Sequence, residues 1–188
     1  MNLAVPQLLS RINLSIPLDK LAGKISQEFS LGEMLKITPM PVGYEELNCL
    51  LETSKGNYIV KVFSKDKVLE TINSNVTSLI EYDKAGIPVP RLHTGTKNNY
   101  LYKIDQSQDT YLVVMDYFDG QKFTELQPSV EDMQKITEYL SKIHNLSFMP
   151  RANYDKWLTI HLGDEFNNKK TYLEDEEFFT QFWEMANH

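Results

Sequence analysis

The chain has 188 residues, 41% hydrophobic and 24% charged, with a formal net charge of −7. This is the make-up of a folded protein with one sizeable core, and the acidic balance excludes the broad basic face that nucleic-acid binding requires. No apolar run approaches the roughly 20 residues of a membrane span, and the first residues, MNLAVPQLLSRINLSIPLDK, lack the basic start and unbroken apolar stretch of a secretory signal. A single cysteine, Cys49, has no internal disulfide partner; a cytoplasmic setting is expected.

Residues 1 to about 35 read as helix and loop. Leu21, Ile25 and Phe29 recur every four residues after Pro17 and Asp19, which makes one apolar stripe fit to pack on a sheet. Ile37 to Met40 leads into Gly43-Tyr44-Glu45-Glu46, and Leu47 to Thr53 reads as a strand. Ser54-Lys55-Gly56-Asn57 supplies a hairpin turn, and Tyr58 to Phe63 returns. Cys49, between Leu47 and Leu51 in the alternation, reads as a small buried apolar residue and not as a nucleophile.

In the returning strand, alternation places Tyr58, Val60 and Val62 on one face and Ile59, Lys61 and Phe63 on the other. Lys61 is thereby flanked by two large apolar side chains. Either its stem snorkels to water at a sheet margin or its charge is used.

A helix follows the polar turn at Ser64 and runs to Lys84, with Val68, Ile72, Val76, Leu79 and Ile80 on one face. Gly86 stands where a helix C-terminus favours a left-handed residue, and Pro88 and Pro90 prevent resumption. Arg91 to His93 and Tyr100 to Ile104 are candidate strands around a polar turn. Tyr111 to Met115, an unbroken apolar run, suits a central strand buried on both faces. Asp116 to Gly120 is a link. Ser129, with Asp132 three residues on, caps a helix whose stripe is Met133, Ile136, Leu140 and Ile143. A last aromatic helix carries Phe178, Phe179, Phe182 and Trp183.

Four pieces in this order, GYEELNCLLETSKGNYIVKVF, EYDKAGIPVPRLH, YLVVMDYFDG and YLSKIHNL, resemble the aminoglycoside phosphotransferase and choline kinase superfamily, which includes type II homoserine kinase-like small-molecule kinases. The resemblance covers about Ile37 to Asn145. It implies an α+β fold: a protein-kinase-like N-terminal lobe of antiparallel sheet plus helix, then the helical start of a C-terminal lobe. The corresponding domains are an N-terminal helical segment (1–35), the lobe (36–118), and the hinge with an incomplete helical lobe (119–188). It also implies roles. Gly43 and Asn48 belong to the loop and strand over the nucleotide phosphates, with one glycine where protein kinases have several. Lys61 grips the α and β phosphates. Met115 backs the adenine pocket, and Asp116, Tyr117 and Phe118 form the hinge whose backbone meets the adenine edge. His144 is the helix-end histidine, read as structural.

This sequence departs from the family in two places. The glutamate that pairs with the strand lysine in such kinases falls at or near Asn75, which can accept a hydrogen bond but cannot neutralise a charge; Glu70 and Glu81 lie one to two turns away. The catalytic loop, an HGD-type motif with a downstream Asn and a metal-binding Asp, does not appear in order. His161-Leu162-Gly163-Asp164 has the letters with a leucine inserted and reads as a helix-entry turn. The chain closes at Glu184-Met185-Ala186-Asn187-His188, near where that loop is expected.

The resemblance therefore implies an ATP-dependent small-molecule phosphotransferase present as a truncated chain, inactive alone, with no catalytic or metal-binding residue assigned. Mg²⁺ is expected only in a complete enzyme, and the acceptor is a polar small molecule. The alternative is a catalytically inactive nucleotide-binding or protein-interaction module of the same fold. A third reading is an α+β domain in which Lys61 is an ordinary surface residue. No nucleic acid or membrane partner is expected, and the helix from Phe178 to Trp183 is a candidate face for self-association.

Overall fold

The computed structural model describes residues 12, 14, 16–40, 46–64, 67–105, 108–120, 123 and 126–148. The chain divides into two compact units, Met1–Arg151 and Ala152–His188. Gly43, the His161–Asp164 motif and the Phe178–Trp183 helix lie outside the described residues.

Helix α1 (Leu18–Glu28) precedes strands β1 (Met34–Met40), β2 (Leu47–Thr53) and β3 (Gly56–Val62); helix α2 (Leu69–Lys84), strands β4 (Tyr102–Asp105) and β5 (Gln108–Asp116), and helix α3 (Val130–His144) follow. The five strands form one sheet in the order β1-β2-β3-β5-β4, every neighbouring pair antiparallel. This is an α+β lobe of antiparallel sheet and helices, as the resemblance implies.

The sheet carries a core on each face, and strand alternation assigns the residues. Leu47, Cys49 and Leu51 of β2, Val60 and Val62 of β3, and Leu112 and Val114 of β5 join Leu21, Ala22, Ile25 and Phe29 around α1. Phe63, Val113 and Met115 point the other way and pack with Ile72 and Val76 of α2 and with Leu92. β5 thus buries successive residues on both faces, and β3 separates Val60 and Val62 from Ile59 and Phe63 as the alternation requires.

Both helix ends are closed by the same device. The Gly86 and Ile87 amides donate to the Asp83 and Tyr82 carbonyls, a Schellman arrangement with Gly86 at φ 69° and Ile87 buried. At α1 the Ser30 and Leu31 amides donate to Gln27 and Ser26 in the same pattern, with Ser30 at φ 55°. α3 begins with a capping box: Ser129 Oγ accepts from the Asp132 amide, and the Asp132 carboxylate accepts from the Ser129 amide.

The structure departs from the sequence reading at three places. Residues 34 and 35, assigned to the N-terminal helix and loop, already belong to β1, and Lys36 to Met40 continues it. Pro39 weakens the strand signal, yet an edge strand tolerates a residue without an N–H, and β1 is an edge. Val68 is 64% exposed because it is the N-cap of α2, outside the helical stripe it was assigned to. The segment Arg91 to His93 forms a single bridge, Leu92 opposite Met115, and no full strand. It still covers β5, since the His93 amide donates to Val114 and the Asp116 amide to Arg91.

Candidate functional site

The β2–β3 hairpin sets the register of the site. Its turn pairs Thr53 with Gly56, and counting back brings Asn48 directly opposite Lys61; on the other side Lys61 faces Val113 of β5. The next row along the same face is Leu50, Ile59 and Met115. Leu50 and Ile59 are half-buried and Met115 is 9% exposed, so a partly open apolar strip runs beside the lysine.

Lys61 does not stand alone. Glu46 precedes β2 by one residue and Asn48 by two, which places it on the Lys61 face. Its Oε2 lies 2.5 Å from Lys61 Nζ, and its Oε1 is bonded to Lys67 Nζ. Burial by itself raises the Glu46 carboxyl, but the hydrogen bonds and charges of the two lysines outweigh that, and its pKa lies below the ordinary 4.5. Both ammonium groups also lie 5.9 Å from the centre of the Phe63 ring, the apolar wall of the cluster.

Asp116, the first residue of the expected hinge, ends β5. Asp116 Oδ1 accepts a hydrogen bond from His93 Nε2 at 2.7 Å, and the His93 ring meets Tyr58 edge to face at 5.0 Å. Tyr117 is half-buried and Phe118 is 61% exposed. The Asp116 N–H donates to the Arg91 carbonyl at 3.0 Å.

The structure therefore brings Asn48, Lys61 and Met115 together on one face of the sheet, with Asp116, Tyr117 and Phe118 following directly from β5. Asn75 is half-buried on α2, three residues from Ile72 and one from Val76, both of which pack on that face. The carboxylate on Lys61 is Glu46, and Glu81 is engaged with Lys84 at 2.7 Å. Sequence reasoning missed Glu46 and Lys67. The alternation of β2 was enough to place Glu46 opposite the right face; nothing local marked Lys67, which comes from the loop before α2. His144 ends α3 and is exposed. Among the described residues no group of three or more His, Cys, Asp or Glu side chains is placed to hold a metal ion, and no helix is long and apolar enough to cross a membrane.

Glu46 bridges the two ammonium groups beside the apolar strip. The structure resembles spectinomycin phosphotransferase APH(9)-Ia, solved with ADP and spectinomycin, at a TM-score of 0.59 and 11% identity, over 84% of this chain and 55% of that one. It also resembles the amicoumacin kinase hAmiN, solved with AMP-PNP, Ca²⁺ and Ami, at a TM-score of 0.55 and 13% identity, over 92% of this chain and 58% of that one. The chain thus spans somewhat more than half the length of these two structures. No curated protein matches it. The model of the phosphotransferase enzyme family APH matches residues 36–187, most of the sequence, and the chain belongs to that family.

Proposed function

We propose that the chain supplies the nucleotide-facing lobe of an ATP-dependent phosphotransferase acting on an alcohol group of a polar small molecule. The observation that carries this reading is Lys61, held by Glu46 on a central strand in register with Asn48 and next to the Leu50–Ile59–Met115 row. ADP and AMP-PNP in the two similar structures support a nucleotide as ligand.

The residues of this chain bind and orient. Lys61 meets phosphate oxygens as a point charge, while Glu46 limits where its ammonium can go. Leu50, Ile59 and Met115 offer apolar surface to the base, and the backbone of Tyr117 or Phe118 offers polar atoms to its edge. Gly43, outside the described residues, belongs on this reading to the loop over the phosphates. Bound ATP with a divalent ion supplies the transferable phosphoryl group and the neutralisation of its charge.

Acid–base positioning of the acceptor calls for the HGD-type loop, which does not appear in order in these 188 residues. Alone, the chain is therefore expected to bind nucleotide without transferring its phosphoryl group, in a cytoplasmic setting, and to self-associate through the helix at Phe178 to Trp183. Titration with ADP, with and without Mg²⁺, followed by calorimetry, tests the central assignment. Lys61→Ala is expected to weaken binding about tenfold or more while the fold persists. Equal binding by the variant removes Lys61 from the site, and no binding by the unaltered chain favours a purely structural α+β domain.

A further inference from the structure

We propose that His93 is a positioning residue for base recognition: its imidazole, bonded to Asp116, sets the course of the chain as it leaves β5 toward Tyr117 and Phe118. This rests on the nucleotide-lobe reading and names the residue that aims the backbone meeting the adenine edge.

The C-terminal end of β5 has its own supports. β4 pairs with β5 only as far as Leu112. Beyond that point Arg91 to His93 takes the place of β4. The His93 amide donates to the Val114 carbonyl at 2.9 Å, the Asp116 amide donates to the Arg91 carbonyl at 3.0 Å, and Leu92 lies opposite Met115. On the other side β3 supplies Tyr58, in register with Asp116. Residues directly opposite in a sheet point to one face, so Met115 and Leu92 share the face of Lys61, while Asp116 and Tyr58 share the α1 face. There His93 Nε2 donates to Asp116 Oδ1 at 2.7 Å, and its ring stands edge to face on Tyr58, 5.0 Å between centroids.

Asp116, the last residue of the strand, is therefore gripped twice by one segment, at its N–H and at its carboxylate. That segment is itself tied to both helices. Arg91 meets Asp83 of α2 at 3.3 Å. Thr96 bonds Glu28 of α1 twice, its amide to the carbonyl at 2.9 Å and its hydroxyl to Oε1 at 2.8 Å. His93 thus passes to the strand end a position taken from α1 and α2 together. The His93 and Asp116 side chains are 30% and 39% exposed, and a pair so open to water adds little to global stability. What it adds is direction. Two bonds to one residue fix the backbone from which Tyr117 and Phe118 depart, and recognition of a flat base through backbone atoms needs them placed to within about 0.5 Å.

Binding of ADP, adenosine and inorganic tripolyphosphate to the unaltered chain, His93→Phe and His93→Gln tests the proposal. His93→Phe keeps a ring beside Tyr58 and loses the donor; it is expected to weaken ADP and adenosine about tenfold and leave tripolyphosphate unchanged. His93→Gln returns an N–H donor near the place of Nε2 and should recover most of the affinity. The imidazole NMR signals of the unaltered chain give an answer even where the variants do not fold: adenosine should shift those of His93, and tripolyphosphate should not. ADP binding indifferent to His93→Phe, an equal loss for all three ligands, or His93 signals blind to adenosine overturns the proposal and spares the nucleotide reading. An unaltered chain that does not bind ADP takes down both.

Discussion

Glu46 Oε2 and Lys61 Nζ lie 2.5 Å apart, joining the residue that enters β2 to the penultimate residue of β3 on the face that α2 covers. Lysine on this strand is thus positioned from within the sheet, by a carboxylate fifteen residues upstream, with Lys67 bonded to the same group.

That bond gives a signed pH dependence. Because the Glu46 carboxyl is lowered below 4.5 in the folded chain, the folded state holds its proton less tightly than the unfolded one. The stability it contributes is complete above pH 4.5 and is lost as pH falls from there through the lowered folded value. Glu46→Gln removes the carboxylate that bridges Lys61 and Lys67 and should cost about 2 kcal/mol at pH 7. Urea melts at pH 7 and over the acid range check this: the variant's stability should fall less steeply below pH 4.5 than that of the unaltered chain.

Cys49 is fully buried in the α1-side core, and burial pushes its thiol from 9.0 up to about 12. The gap of three units means about 1,000-fold less thiolate than an exposed cysteine near neutrality. Under native conditions at pH 8, a thiol-specific disulfide reagent should leave Cys49 unmodified over the time in which the urea-unfolded chain reacts fully. Prompt native labelling would contradict this burial.

The turn out of α1 predicts two substitutions of opposite sign. Ser30 holds φ 55° as a non-glycine residue, so Ser30→Gly should stabilise by about 0.5–1 kcal/mol. Gly32 holds φ 90°, and a Cβ there would meet Ser54 Oγ at 2.4 Å, the atom that accepts from the Glu33 amide. Gly32→Ala should therefore destabilise by about 1–3 kcal/mol. Thermal melts of the two variants side by side give the comparison.

One further outcome, weaker ADP binding by Lys61→Ala, addresses the site itself and asks whether the strand lysine meets nucleotide.

Much of this lobe was legible because the relevant physics is local. Periods of two and of three to four assigned the faces of β2, β3, β5, α1 and α2, since a side chain's direction along a regular backbone depends only on its position in the repeat. The Ser54–Asn57 turn carried the hairpin register, and with it Asn48 opposite Lys61. The cap at Ser129 and the stop at Gly86 followed from backbone groups that the next few residues must satisfy. Tertiary structure alone decided the rest. β1 exists because β2 offers it an edge, and its own sequence, with Pro39, argues weakly for a strand. That Glu46 bonds both Lys61 and Lys67 depended on three chain segments meeting at one point, which no local pattern announces. An ion pair is set by distance in space, and distance between residues far apart in the chain is the quantity that only folding determines.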